Sequence, residues 1–116
     1  MSAPAVTVSD DARGVRTLAL ARPERRNAFD DALIAELTAR LEQAASDAAV
    51  RVVVLTGDGS SFSAGADIAW MRRAADYDEE ANLEDARGLA RLMTTLDRLA
   101  KPTIARVNGP AIGHRV

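Results

Sequence analysis

The sequence contains no cysteine and a single histidine, His114. Disulfide scaffolds, thiolate nucleophiles and Cys-based metal sites are thereby excluded, and one imidazole cannot build a histidine metal cluster. No apolar run is long enough to span a bilayer, and no basic, then hydrophobic, opening marks an export signal. Also missing is a basic stripe: the formal net charge is -2, with the two signs interspersed, so a nucleic-acid partner is not expected. No internal repeat or low-complexity segment breaks the pattern. What is present is an ordinary globular composition, 47% hydrophobic against 28% charged, which argues against disorder. A chain of 116 residues supports one domain at most. The expectation is a soluble, cytoplasmic protein with no nucleic-acid or membrane partner.

After a loose tail at residues 1–4, Ala5-Val-Thr-Val8 and Val15-Arg-Thr-Leu-Ala-Leu20 alternate apolar with polar or small residues around the turn-rich Asp10-Asp-Ala-Arg-Gly14. The pair predicts a β-hairpin. Pro23 ends the second strand for want of an N–H, and Glu24-Arg-Arg-Asn27 follows as a polar loop. From Asp30 to Ser46 the positions Leu33, Ile34, Leu37, Leu41, Ala44 and Ala45 recur at helical spacing, with Asp30 or Asp31 as the cap. Arg51 to Thr56 reads as a short, largely buried strand of the kind that suits a parallel sheet covered on both sides, and strand, helix and strand imply a right-handed crossover between parallel strands. A second helix spans Glu79 to Leu99, with Leu83, Ala86, Leu89, Ala90, Leu92, Met93, Leu96 and Leu99 on one stripe. Lys101-Pro102 stops it, and Thr103 to Val107 forms another strand. The fold class is α/β, and a parallel core whose last strand leads only into a loop reads as incomplete.

The stretch with the most chemistry is Gly57-Asp-Gly-Ser-Ser-Phe-Ser-Ala-Gly-Ala-Asp67, set between a strand and the helix-like Ile68-Ala-Trp-Met-Arg72. Small residues from Ser63 to Ala66 let a ligand approach the backbone, and N–H groups at a helix start can stabilise a developing oxyanion. The stretch lacks the Gly-Lys-Ser/Thr of a phosphate loop and the third glycine of a dinucleotide fingerprint. Ser60, Ser61 and Ser63 have no Gly-x-Ser-x-Gly elbow, and His114 no evident acidic partner, so a serine nucleophile is discounted. A tight connection remains the plain alternative. Asp67 is either a cap or a base, and Trp70 and Met71 either pack a helix or line an acyl pocket. Arg25 and Arg26 either face solvent or hold phosphate. The acidic run from Asp76 to Asp85 suits a helix start.

Three blocks occur in the order and spacing of a known family: Arg22-Pro-Glu-Arg-Arg-Asn-Ala-Phe29, then Val52 through Asp67, then Lys101-Pro-Thr-Ile-Ala-Arg-Val-Asn-Gly-Pro-Ala111. The chain resembles the crotonase superfamily, the enoyl-CoA hydratase/isomerase family. The match runs to about Gly113 and covers only the first half of a typical member. It implies a crotonase-like spiral of ββα units, assembled as trimers or hexamers, that binds an acyl-CoA thioester and needs no cofactor or metal beyond the coenzyme A of its substrate. By the resemblance, the backbone N–H of Ala66 is one oxyanion donor. CoA contacts fall at Arg25, Arg26, Ala28, Ala64, Gly65, Ala66 and Asp67, with Ile68, Trp70 and Met71 near the acyl group. Ala66 to Met71 and Asn82 to Arg87 look similar to hydratases of branched or carboxylated enoyl-CoAs, such as methylglutaconyl-CoA hydratase.

The sequence departs from that family at Gly113-His-Arg-Val116, where members continue with glycines and then a glutamate. His114 takes the position of the second oxyanion donor, and a β-carbon there hinders close backbone approach. Both glutamates that hydratases use to move protons lie beyond these residues. The expectation is a partial domain over residues 1–116, truncated before the second half of the core and derived from an enoyl-CoA hydratase that is inactive in this form. A non-catalytic fragment docking on a full-length homologue, a CoA-binding module without chemistry, and another crotonase-type reaction (isomerase, hydrolase or decarboxylase) are the alternatives.

Overall fold

A computed structural model describes residues 4–60, 62–63 and 79–109, of which Arg25, Glu79, Ala81 and Asn82 are described by backbone alone. The hairpin forms as β1 (Val6–Asp10) and β2 (Val15–Leu20), paired antiparallel from Val6↔Leu20 to Asp10↔Arg16. β1 thus runs two residues beyond the predicted Val8. The turn is fixed by Asp11, whose Oδ1 accepts from the N–H groups of Arg13 (2.8 Å) and Val15 (3.1 Å). Gly14 follows with φ +88, a conformation that costs glycine little.

A single turn of 3-10 helix at Pro23–Arg25 replaces the predicted loop, since proline presets the φ of a first helical position. Helix α1 (Asp31–Ser46) then begins at Asp30, whose side chain accepts from the Leu33 N–H at 2.8 Å. This settles the cap between the two predicted aspartates. At its other end the Lys101 ammonium donates to the carbonyls of Ala44 (2.6 Å) and Asp47, closing α1 with a cation where the helix leaves unpaired acceptors. Strand β3 (Val52–Gly57) pairs parallel with β2 from Val15↔Val52 to Leu20↔Gly57. Helix α2 (Glu79–Arg98) leads to β4 (Thr103–Ala105), parallel to β3. The sheet order is β1-β2-β3-β4, a mixed α/β architecture with β2, α1 and β3 forming the expected parallel crossover.

Paired positions share a face of a sheet. On one face Val6, Leu18, Leu20 and Val53 pack under Leu33, Ile34, Leu37 and Leu41 of α1, with Leu55 partly buried beside them. On the opposite face Val52 and Val54 are only half-buried and Ile104 is 54% exposed. No residue of β3 is exposed, but its second face is covered unevenly: Val52 and Val54 are half-buried whereas Thr56, at 5% exposure, is buried, and among the described residues no helix lies against that face.

The stripe on α2 also needs correcting. Only Leu92 is fully buried, at 1% exposure, with Leu96 and Leu99 packed partly against the core. Leu83 (48%), Leu89 (40%) and Met93 (49%) are exposed, as are Ala86 and Ala90. Eight apolar positions make a band too wide for one line of contact with α1. Leu92, Leu96 and Leu99 face the core, and the others form a neighbouring apolar stripe.

Arg16 joins the hairpin to the end of α1, donating to both Asp10 oxygens at 2.8 Å and to Asp47 Oδ2 at 3.0 Å. The Arg16 hydrogen bond holds the Asp10 carboxyl below its ordinary pKa, and the Val15 backbone N–H does the same for Asp11. A depressed folded pKa gives stability that is complete above the ordinary carboxylate value and is lost as pH falls through the folded one. Stability should decline below about pH 4. In denaturant titrations across pH, Asp10→Asn should flatten this acid limb; an unchanged limb would assign it to other groups.

Candidate functional site

Parallel pairing brings the carboxyl ends of β2, β3 and β4 to one edge of the sheet, with Leu20 level with Gly57 and Leu55 with Ala105. The segments leaving those ends are the Arg22–Phe29 block, the glycine loop and the Arg106–Gly109 loop. In open α/β sheets this edge is where ligands bind. Three stretches far apart in sequence are thus gathered by strand direction alone.

Two asparagine side chains fasten them together. Asn27 is fully buried, at 0% exposure; its Oδ1 accepts from the Arg22 N–H (2.8 Å) and its Nδ2 donates to the Asp58 carbonyl (3.0 Å). The Ser63 hydroxyl donates to the Asn27 carbonyl at 2.9 Å. Arg26 and Asn27 both take left-handed backbone, φ 52 and 54, a region asparagine tolerates better than most residues. On the other side Asn108 Oδ1 accepts from the Gly57 N–H (3.2 Å), and its Nδ2 donates to the Gly59 carbonyl (2.9 Å). Thr56 adds a hydroxyl bond to the Arg106 carbonyl at 2.9 Å.

Gly59 has φ +85, and a Cβ there would stand 2.9 Å from Cβ of Pro23. Glycine is required on both counts, conformation and contact, and it lets the loop lie directly against the Arg-Pro segment. Of the expected site residues, Arg26 is exposed and Ala28 half-buried beside this junction, and only the backbone of Arg25 is described. Ala64, Gly65, Ala66, Asp67, Ile68, Trp70, Met71 and His114 lie outside the described residues. Ser63 is buried and its hydroxyl donates to a carbonyl, a structural role that agrees with discounting it as a nucleophile.

Asn27 and Asn108 were not singled out from sequence as site residues. The available signal was their place in two of the three family blocks, Asn27 after a doublet of arginines and Asn108 before Gly109-Pro110. A cleft of about 260 Å³ opens elsewhere, between α1 and α2, lined by Ile34, Thr38, Glu84 and Gly88 and bridged by the Arg91–Glu42 ion pair at 2.6 Å. Among the described residues no group of three or more His, Cys, Asp or Glu could hold a metal ion, and no helix is long and apolar enough to cross a membrane.

The family model for enoyl-CoA hydratase/isomerase matches residues 10–114. The chain belongs to the enoyl-CoA hydratase/isomerase family. It is 42% identical over 105 residues to a probable enoyl-CoA hydratase of Mycobacterium leprae, covering 88% of this chain and 39% of that protein. It is also 37% identical over 102 residues to a 4-chlorobenzoyl coenzyme A dehalogenase of Arthrobacter, with 86% and 37% covered. The crystal structure of an enoyl-CoA hydratase from Shewanella pealeana superposes with a TM-score of 0.90 at 41% identity, over 94% of this chain and 41% of that one. The chain spans about two fifths of the length of the relatives it matches. The crotonase fold expected from the three blocks is therefore shown for this part of the molecule.

Proposed function

We propose that these residues form the N-terminal, CoA-binding part of an enoyl-CoA hydratase, in which water adds across the C2–C3 double bond of a 2-enoyl-CoA. The observation that carries this reading is the convergence of the three family blocks at the carboxyl ends of β2, β3 and β4, tied by Asn27 and Asn108. In this reading Arg25, Arg26 and Ala28 meet the CoA moiety, Ala64, Gly65 and Asp67 line its path, and Ile68, Trp70 and Met71 meet the acyl chain. The thioester oxygen gains negative charge as water adds at C3. The Ala66 N–H donates to that oxygen, a contribution of about 3 kcal/mol to the barrier for a well-placed donor. The His114 N–H supplies the second donor, with its Cβ narrowing the approach.

On this reading these residues supply the CoA contacts and the oxyanion donors, while the proton-moving glutamates that the resemblance implies are not among them. Coenzyme A arrives as part of the substrate and no further cofactor is needed. A cytoplasmic role in the breakdown of fatty or branched acyl-CoA, within a trimer or hexamer of whole-length chains, is the setting this reading implies. Isothermal titration with acetyl-CoA, paired with a hydration assay on crotonyl-CoA, tests it. Binding without hydration is expected. Hydration at rates typical of intact enzymes would refute the inactivity, and the absence of any binding by the folded chain would refute the site.

A second reading rests on the exposed Leu83, Leu89, Met93, Ile104 and Val107. Relatives more than twice as long carry further chain that can cover such faces, and in this reading the chain is a non-catalytic fragment that docks onto a full-length homologue. Size-exclusion of the chain with and without an intact homologue separates the two. Co-elution supports docking, and an unchanged monomer peak excludes it.

A further inference from the structure

We infer that Asn108 is a positioning residue, whose side-chain amide sets the gap between the loop after β3 and the loop after β4; the inference rests on the proposed acyl-CoA site. The two loops are the ones assigned the oxyanion donors, Ala66 following the first and His114 the second. Each leaves its own strand, and beyond Leu55↔Ala105 the β3–β4 pairing gives out. The Arg106 N–H still donates to the Leu55 carbonyl at 2.8 Å, and the Thr56 hydroxyl reaches the Arg106 carbonyl at 2.9 Å. Past that point Asn108 takes over, accepting from Gly57 at 3.2 Å and donating to Gly59 at 2.9 Å.

One planar amide thus spans both polar groups of a three-residue turn and continues the sheet's hydrogen bonding where the ladder has stopped. Its geometry is rigid in a way a longer or hydroxylic side chain would not reproduce. Asn27 holds the same turn from the opposite side through the Asp58 carbonyl, but it connects to the Arg22 segment rather than to the β4 loop. The two asparagines therefore divide the work: Asn27 aligns the turn with the CoA-binding loop, and Asn108 aligns it with the loop that brings the second donor. A pair of donors must hold its spacing to within about 0.5 Å to act together. Asn108 acts through the loops, with no contact to substrate required.

The test compares two ligands on the 116-residue chain: free CoA, which has no thioester carbonyl, and acetoacetyl-CoA, whose enolate carries negative charge on oxygen. Wild type should bind acetoacetyl-CoA more tightly than CoA. Asn108→Ala should lower that preference about tenfold while CoA affinity stays within about twofold, because only the donor spacing is disturbed. Asn108→Asp keeps the acceptor for Gly57 but loses the donor for Gly59 and should lower the preference in the same direction. Amide exchange at Gly57 should quicken in the alanine variant and stay slow in the aspartate one. Asn108 lies beyond the last strand and outside the core, and far-UV circular dichroism checks each variant; should alanine unfold the chain, the aspartate comparison decides. Equal losses for both ligands, or an unchanged preference, would overturn the positioning role while leaving the CoA site standing. A folded wild type that binds neither ligand would overturn both.

Discussion

Leu37→Ala should lower the stability of this chain by about 3 kcal/mol, within the range for emptying a packed leucine site. Leu37 is 1% exposed in the middle of α1, in the cluster that joins Leu18, Leu20 and Val53 of the sheet to Leu33, Leu41 and Leu92. Removing three side-chain carbons there (Cγ and its two methyl groups) opens a void between the sheet and both helices, and rigid strands on one side leave little room for collapse. Domains of this size are stable by only about 5–15 kcal/mol, so the loss should shift the thermal midpoint by about 12 °C. Urea titration would show a lower midpoint at an unchanged slope. Leu83→Ala is the matched control: 48% exposed on the outer stripe of α2, it should change stability by no more than about 0.5 kcal/mol. Equal losses at both positions would mean that the outer stripe is covered in solution, by self-association or otherwise.

That contrast marks where sequence periodicity stops being informative. The spacing of Leu33, Ile34, Leu37 and Leu41 located α1 to within a residue, because a helix lying on a sheet must turn one face inward. The same reasoning placed α2 correctly but could not divide its apolar band. Leu92 and Leu89 have the same chemistry, and only the position of α1 makes the first core and the second surface. For β3 the run of valines pointed to a largely buried strand, and none of its residues is exposed, yet Val52 and Val54 are half-buried where Val53 is fully buried, since burial on the second face depends on partners that a run of valines does not itself supply. The convergence of the three blocks was legible as far as parallel strands could be inferred, which fixes their common edge. The asparagine ties were not, because one amide side chain reads from sequence as a turn residue wherever it stands. Its partners across the sheet, Asp58 for Asn27 and Gly59 for Asn108, lie 31 and 49 residues away.

Asn27→Ala should cost about 3 kcal/mol and weaken free CoA and acetoacetyl-CoA alike by tenfold or more. Two effects add. Alanine at φ 54 carries a left-handed penalty of about 1 kcal/mol, and the side-chain bonds to Arg22 and Asp58 disappear from a fully buried position, each worth about 1 kcal/mol net. The ligand effect is uniform because Asn27 aligns the Arg22 segment, where CoA itself is held, whereas loss of Asn108 touches only the thioester preference. Asn27→Gly separates the two causes. Glycine adopts the same φ without strain, so it should recover about 1 kcal/mol of stability by urea titration and none of the ligand affinity. A glycine variant that binds CoA as wild type does would show that backbone shape alone aligns the loops, with the buried amide holding the fold rather than the site.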